Sequence, residues 1–286
     1  MEDYDKKSIE LIEVQHEISK DDITVVIPVL NEEEAIRHVL NSVQDAGYRK
    51  IIVVDGHSKD NTVQIVKKTG VKLFFQEGKG KTGALKTAFQ KINTPFVIIM
   101  DGDCTYDPNE IENFFPYISK YDQVIGKRSI GTDKIPPLNR VGNHLINKLF
   151  NIIFNTKLSD VCSGMYALTT DFANKIKLET SGFDVEVEIA ALASIYGKII
   201  EIPINYYERV GVQKLRPIRD GYRIISSIFL LGIKHRQLKL IKLFAFVSFL
   251  STILIIGFYF IYPFSIIKMI NTFNTSLSSI RSICQL

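Results

Sequence analysis

An α/β fold, a mostly parallel sheet covered by helices on both faces, is what this sequence predicts. Three observations predict it. Short β-rich runs alternate with amphipathic stretches from Asp22 onward, and two of those runs end in a carboxylate, at Asp55 and Asp101. The 286 residues, 46% apolar and 23% charged, are enough for a full hydrophobic core. Strand and helix in strict alternation leave parallel strands buried under helices, with ligands expected at the carboxyl ends of the strands.

Taken in order, the β-branched runs 23–30, 50–55, 71–76, 96–101 and 123–127 read as strands. Between them, 32–46, 60–68, 83–92 and 108–119 carry apolar residues at helical spacing. Beyond Ser129 the pattern changes to a basic helix over 138–155, a turn at Ser163 and Gly164, a helix over 185–196 and a strand over 199–207. The domain organisation expected is a charged extension over 1–22, a globular domain over 23–215, basic helices over 216–242, an apolar helix over 243–262 and a tail over 263–286.

The net charge of +4 conceals a segregation. Residues 209–242 hold nine Lys or Arg against one acid, Asp220, which leaves the remainder at −4. Immediately after comes LFAFVSFLSTILIIGFYFIY, twenty residues without a charge. As a helix it would be about 30 Å long, enough to cross the hydrocarbon core, and its insertion is worth roughly −4 to −8 kcal/mol. A buried core helix is the competing reading, but such helices are usually shorter or broken by polar residues. With basic residues before the apolar run and only Lys268 and Arg281 after it, a single-pass membrane protein with its globular domain on the cytoplasmic side is expected. Apolar residues interleaved with bases over 217–242 suit helices lying in the membrane interface. Three cysteines without CxxC spacing suggest neither a disulfide framework nor a zinc site, and the charged N-terminus lacks the apolar run of a secretory signal. Positive charge gathered beside an apolar helix argues against nucleic acid as a partner.

The chemistry centres on Met100-Asp-Gly-Asp103. Two like charges separated by a glycine repel unless a cation sits with them, and hard cations such as Mg²⁺ or Mn²⁺ take carboxylate oxygens together with substrate phosphates. Asp101-Gly-Asp-Cys-Thr105 also matches a dehalogenase-type phosphatase motif, but the acidic magnesium signature of those enzymes is missing downstream. Gly78-Lys-Gly-Lys-Thr-Gly83 is not a P-loop, because Phe75 stands where that motif needs its first glycine. The glycines and lysines there still suit a loop that approaches a diphosphate closely.

Val26-Ile-Pro-Val-Leu-Asn-Glu, Val53-Val-Asp-Gly-His-Ser, Gly78-Lys-Gly-Lys-Thr-Gly and Met100-Asp-Gly-Asp, in that order, resemble family 2 glycosyltransferases of GT-A fold. Gly126-Lys-Arg-Ser129, Asn139-Arg140, Asp160-Val-Cys-Ser-Gly-Met-Tyr166 and the segment from Tyr207 to Pro217 resemble the archaeal-type branch that makes dolichyl- or polyprenyl-phosphate sugars. The resemblance implies Pro28, Asn31, Glu32 and Asp55 around the donor nucleoside. It implies Asp101 and Asp103 on the metal, Lys79, Lys81, Arg209 and Lys214 at the diphosphate, and Arg128 and Arg140 at the acceptor phosphate. Catalysis would then rest on Asp101, Asp103, Arg128 and Arg140. A phosphate monoester, with a second pKa near about 6, is already a nucleophile at neutral pH and needs no general base. Glu186 and Glu188 could supply a base for a hydroxyl acceptor, but they read as ordinary helix-surface acids. The expected function is inverting transfer of a sugar, UDP-linked glucose or N-acetylhexosamine, to a polyprenyl phosphate at the cytoplasmic face. Transfer to a lipid or polysaccharide hydroxyl, or a non-catalytic scaffold that binds sugar nucleotides, are the alternatives.

Overall fold

The structure, a computed structural model, describes residues 17–236, 241 and 245–258. In chain order the elements are β1 (Ile23–Val29), α1 (Ile36–Asp45), β2 (Ile51–Asp55), α2 (Thr62–Lys68), β3 (Lys72–Phe75), α3 (Gly80–Phe89) and β4 (Phe96–Ile99). A 3₁₀ stretch, Pro108–Phe114, leads into the single turn α4 (Phe115–Ile118). Then follow β5 (Gln123–Ile130), α5 (Pro137–Phe154), β6 (Tyr166–Thr169), α6 (Thr170–Lys175), α7 (Val185–Tyr196), β7 (Ile199–Asn205) and α8 (Pro217–His235). The chain divides into two compact units, Met1–Leu231 and Gly232–Leu286.

The first unit holds one seven-stranded sheet in the order β3-β2-β1-β4-β6-β5-β7. Neighbours pair in parallel except for β6, which runs antiparallel to both β4 and β5. This reversal places the start of β6 at the same rim as the carboxyl ends of β1, β2, β3, β4, β5 and β7. Seven loops therefore open onto one edge of the sheet. The parallel strands are covered on both faces: every residue of β2 and all but Pro28 of β1 are buried. Pro28 is tolerated in a central strand because Val26 and Pro28 point their backbone polar groups toward β4, and that ladder already ends at Val26. Helix α1 buries Ile36, Val39, Leu40 and Val43, spaced as one helical face, against Ile23, Val25 and Ile27 of β1 and their neighbours. Each such fully buried aliphatic side chain contributes about 1.5–3 kcal/mol.

Several expectations are corrected. β4 stops at Ile99, so Asp101 and Asp103 lie in a bend rather than on a strand, and Cys104 turns the chain with φ 66°. Residues 108–119 form a 3₁₀ stretch and one α turn instead of a continuous helix, since Pro116 lacks the N–H that a longer helix would use. β6 and α6 went unread in the sequence: four residues are too few to show a period. α3 begins at Gly80, so most of the glycine-rich segment is its first turn. Gly83 is there because a Cβ would lie 2.8 Å from the Glu77 carbonyl oxygen.

Helix α5 starts with Pro137 in its first turn and ends at Asn155, whose φ of 59° reverses the chain. It buries Ile146, Phe150, Ile153 and Phe154 while exposing Leu138, Val141, Leu145 and Ile152. Of the apolar run 243–262, residues 245–258 are described and are helical, and the rest lies outside the described residues. Among the described residues no helix is long and apolar enough to cross a membrane.

Gly83→Ala is expected to destabilise the first unit by about 1–3 kcal/mol, the range for forcing atoms into a packed site. Urea unfolding followed by far-UV circular dichroism measures this.

Candidate active site

The rim gathers acids from three loops. Asp55, at the end of β2, is fully buried and accepts hydrogen bonds from the Ser58 backbone N–H (2.8 Å) and hydroxyl (2.5 Å). The Ser58 Oγ in turn accepts from the Asn31 N–H (2.8 Å), and Asn31 Oδ1 accepts from the Lys59 N–H (2.7 Å). The loops after β1 and β2 are thereby tied together. Asn31 adopts φ 52°, a left-handed conformation that asparagine tolerates.

Asp103 is buried. Its Oδ1 accepts from the Thr105 hydroxyl (2.5 Å) and N–H (3.1 Å), and its Oδ2 from Arg209 Nη1 (2.6 Å). Burial pushes its proton affinity up, the neighbouring Asp101 charge adds to that, and Arg209 opposes it. The repulsion expected from two aspartates flanking a glycine is therefore present. Arg209 also reaches Glu32 Oε1 (2.8 Å), which Lys214 Nζ meets at 2.6 Å. Glu32 Oε2 is buried with no hydrogen-bond partner, and burial raises the proton affinity of this carboxylate despite Lys214 and Arg209. Lys214 also donates to the Asn31 carbonyl (2.8 Å). Backbone bonds from Tyr207 N to Thr105 O and from Val210 N to Asp103 O (both 3.0 Å) complete the attachment of residues 206–216, a strap that follows β7 and crosses this rim.

Asp101 is held from another side. Lys81, in the first turn of α3, places Nζ 2.5 Å from Asp101 Oδ1 and 2.6 Å from Glu186 Oε1. Burial works against the ammonium, but the two carboxylates outweigh it and hold its pKa well above the usual lysine range. Gly164, just before β6, packs against the opposite oxygen of Asp101, where any side chain would collide. Glu186 and Glu188 are only 6% and 1% exposed, which corrects their reading as surface acids. α7 is buried from Val185 to Ala193. Glu188 accepts from the Glu179 N–H (2.6 Å) and the Thr180 hydroxyl (2.6 Å), clamping the loop before α7.

Arg128, near the end of β5, donates from Nε (2.7 Å) and Nη2 (2.6 Å) to the two oxygens of Asp160, and its guanidinium carbon lies 5.3 Å from the Tyr206 ring centre. Burial opposes its charge and Asp160 more than restores it. Asp160 is fixed in turn by Glu201, which accepts from the backbone N–H of Ser159 and Asp160 at 2.7 Å each. Pro28 lies in β1 itself, and Lys79 is exposed at the start of α3. Arg140 is exposed in the first turns of α5, and its guanidinium pairs with no carboxylate among the described residues. Asn31, Glu32, Asp103, Arg209 and Lys214 thus form one network of direct contacts, and Asp101 and Lys81 form another with Glu186, the two meeting at the Asp101-Gly-Asp103 bend. Lys79 and Arg140 join them through no hydrogen bond or ion pair among the described residues. Sequence reading weighed Glu186 only as a base for a hydroxyl acceptor and quoted Asp160 and Gly164 only within a motif of resemblance; it gave none of them, nor Thr105, the structural role seen here, and the one local signal was two acids in an otherwise apolar helix.

Four carboxylates, Glu32, Asp101, Asp103 and Glu186, face three cations, Lys81, Arg209 and Lys214. An uncompensated negative charge remains. Among the described residues no group of three or more His, Cys, Asp or Glu side chains is arranged to hold a metal ion by itself. Two adjacent aspartates with excess negative charge fit a hard divalent cation that completes its shell with phosphate and water.

Residues 24–176 match glycosyl transferase family 2, more than half of the chain. The chain belongs to that family. Among its relatives in Haloferax volcanii, a glycosyltransferase named AglJ is 33% identical over 216 residues, 73% of this chain and 71% of the relative. A dolichyl-phosphate hexose transferase from the same organism is 33% identical over 225 residues, 77% of this chain and 98% of the relative. Glucosyl-3-phosphoglycerate synthase from Mycobacterium tuberculosis, solved with Mn²⁺, UDP and phosphoglyceric acid, superposes with a TM-score of 0.60 at 18% identity. The match covers 74% of this chain and 78% of that one, and it shows the shared fold. The protein is therefore a family 2 glycosyltransferase with a GT-A-like sheet.

Arg209→Met removes the one side chain that ties the strap to both Asp103 and Glu32. Trypsin is expected to cut after Lys214 several-fold faster in this variant under native conditions, as read by mass spectrometry.

Proposed function

We propose that this glycosyltransferase moves a sugar from a nucleoside-diphosphate donor to a polyprenyl or dolichyl phosphate, with inversion, at the cytoplasmic face of a membrane. The observation that carries the donor half is the convergence of Asp101 and Asp103 with Lys81, Arg209 and Lys214 at one rim. Asp101 and Asp103 would hold Mg²⁺ or Mn²⁺, which when bound offsets charge on the departing diphosphate. Lys81, Arg209 and Lys214 would turn from carboxylates to phosphate oxygens as the donor arrives, and Lys79 stands exposed at the start of the same helix. Asp55 and Asn31, held in place through Ser58, would orient the nucleoside beside Pro28, and Glu32 would hold the strap's cations in register. UDP-linked glucose or N-acetylhexosamine is the donor we favour, in keeping with the UDP bound by the mycobacterial fold neighbour and the hexose in the name of the Haloferax relative.

The acceptor half rests on the α7 acids. A hydroxyl acceptor needs a free base, and neither acid is free: Glu188 clamps a loop and Glu186 is paired with Lys81. A phosphate acceptor needs none, because its oxygen attacks the anomeric carbon directly while the nucleoside diphosphate leaves on the opposite side. It needs cations instead. Arg128, with two of its nitrogens held by Asp160, is a pre-oriented fork, and Arg140, exposed on α5, would supply a second positive charge. The dolichyl-phosphate name of one relative points the same way.

A lipid acceptor requires a membrane. The uncharged run 243–262 supplies a single-pass span, and nine bases over 209–242 supply attraction to anionic headgroups, about 1 kcal/mol for each base near the surface. Exposed Leu138, Val141 and Leu145 on α5, interspersed with Arg140, His144 and Lys148, extend this apolar and basic character to the globular unit. The product would feed protein glycosylation or cell-envelope glycan synthesis.

The test is incubation of the full-length chain in detergent with polyprenyl phosphate and a panel of nucleotide sugars. Product is expected with one UDP-sugar, is lost with EDTA and returns with Mn²⁺ or Mg²⁺. Asp103→Ala should lower kcat at least about 100-fold, the scale for removing a group that stabilises developing charge. Glycosylation of polyprenol but not polyprenyl phosphate would overturn the acceptor assignment. Arg128→Lys, which keeps the charge and loses the planar fork, should raise the acceptor KM about tenfold at an unchanged donor KM.

A further inference from the structure

We infer that Glu186 is a positioning residue for Asp101, acting through Lys81, and that it keeps Asp101 available to a divalent cation. This rests on the reading of Asp101 and Asp103 as the metal carboxylates.

The geometry is a chain of three charges reaching inward from the rim. Lys81 Nζ lies between Asp101 Oδ1 at 2.5 Å and Glu186 Oε1 at 2.6 Å. The Glu186 side chain is 7% exposed and that of Lys81 11%, while Asp101 is 31% exposed and faces the open rim. A buried carboxylate is costly unless it is paired, so Glu186 cannot be an incidental passenger of α7. Burial raises its proton affinity, and Lys81 opposes that. Close by, the first turn of α3 meets the loop before α7, where Thr82 and Thr180 lie 3.2 Å apart.

The consequence follows from how one ammonium divides between two carboxylates. With Glu186 ionised, Lys81 has an inner partner and can yield Asp101 to another cation without being left unpaired in a buried site. Without that charge, Lys81 has Asp101 alone and closes on it. A cation arriving from solvent must then break the only ion pair the ammonium has. Gly164 packs against the other oxygen of Asp101, so Asp101 cannot swing aside to evade the lysine. Glu186 therefore holds Lys81 back from a metal ligand that it never touches.

The experiment is a Mn²⁺ titration of the full-length protein in detergent without any substrate, following free Mn²⁺ by electron paramagnetic resonance. Glu186→Gln, which keeps the shape and removes the charge, is expected to weaken Mn²⁺ binding about tenfold or more, the scale on which one neighbouring charge shifts a buried equilibrium. Glu186→Asp, which keeps the charge, should recover most of that loss. Glu188→Gln disturbs the same helix without touching Lys81 and should leave Mn²⁺ affinity within about twofold of wild type while lowering the urea midpoint. Equal weakening in Glu186→Gln and Glu188→Gln, or unchanged affinity in Glu186→Gln, would overturn the inference and leave the metal site standing. No Mn²⁺ binding by the wild-type protein would overturn the metal site itself, and the inference with it.

Discussion

The arrangement depends on one electrostatic constraint: carboxylates drawn together at the edge of a sheet and partly removed from water must each be met by a cation. Glu32, Asp103 and Glu186 are buried, and Asp101 is packed against backbone at Gly164. Isolated, each would cost several kcal/mol to desolvate. Lys81, Arg209 and Lys214 offset that cost, and in doing so they dictate the local structure. The strap after β7 lies across the rim because Arg209 and Lys214 must reach Asp103 and Glu32. The first turn of α3 points inward because Lys81 must lie between Asp101 and Glu186.

The one reversed strand of the sheet starts at this rim. β6 brings Gly164 up to the bend after β4, where only a residue without a side chain can lie against Asp101. A parallel strand in that place would present its carboxyl end and a helix connection instead. On the far side of β6, Arg128 at the end of β5 is stacked near Tyr206 and locked to Asp160, itself pinned by Glu201 of β7. The rim therefore has two differently charged neighbourhoods. One is rich in acids paired with Lys81, Arg209 and Lys214; the other holds Arg128, buried and fixed by Asp160.

On the reading proposed above, bringing two anionic substrates together is the physical difficulty, and Lys81, Arg209 and Lys214 are positive charge held ready for it. They would exchange their carboxylate partners for phosphate oxygens while a divalent cation took the acids in return. Preorganisation of this kind places the reorganisation before the reaction rather than during it. A strap held by such exchangeable ion pairs is a low-stability segment by construction, unlike the doubly covered strands beneath it.

Much of the fold was legible from the sequence because its strongest signals are local. The β-branched runs of β1, β2 and β5 and the helical periods of α1, α5 and α7 name their own structure, and the acids at Asp55, Asp101 and Asp103 mark strand ends by where the apolar runs stop. The placement of Glu32, Lys81, Arg209 and Lys214 near those acids came from a family resemblance rather than from any local pattern. Tertiary structure alone decided the rest. Four residues cannot display a period, so β6 and its direction were invisible until Tyr166–Thr169 paired between β4 and β5. Glu186 and Glu188 look like surface acids to any periodicity argument, since burial of a carboxylate depends on a partner far away in the chain. Lys81 lies more than a hundred residues before Glu186, and only the folded sheet brings them within an ion pair's reach.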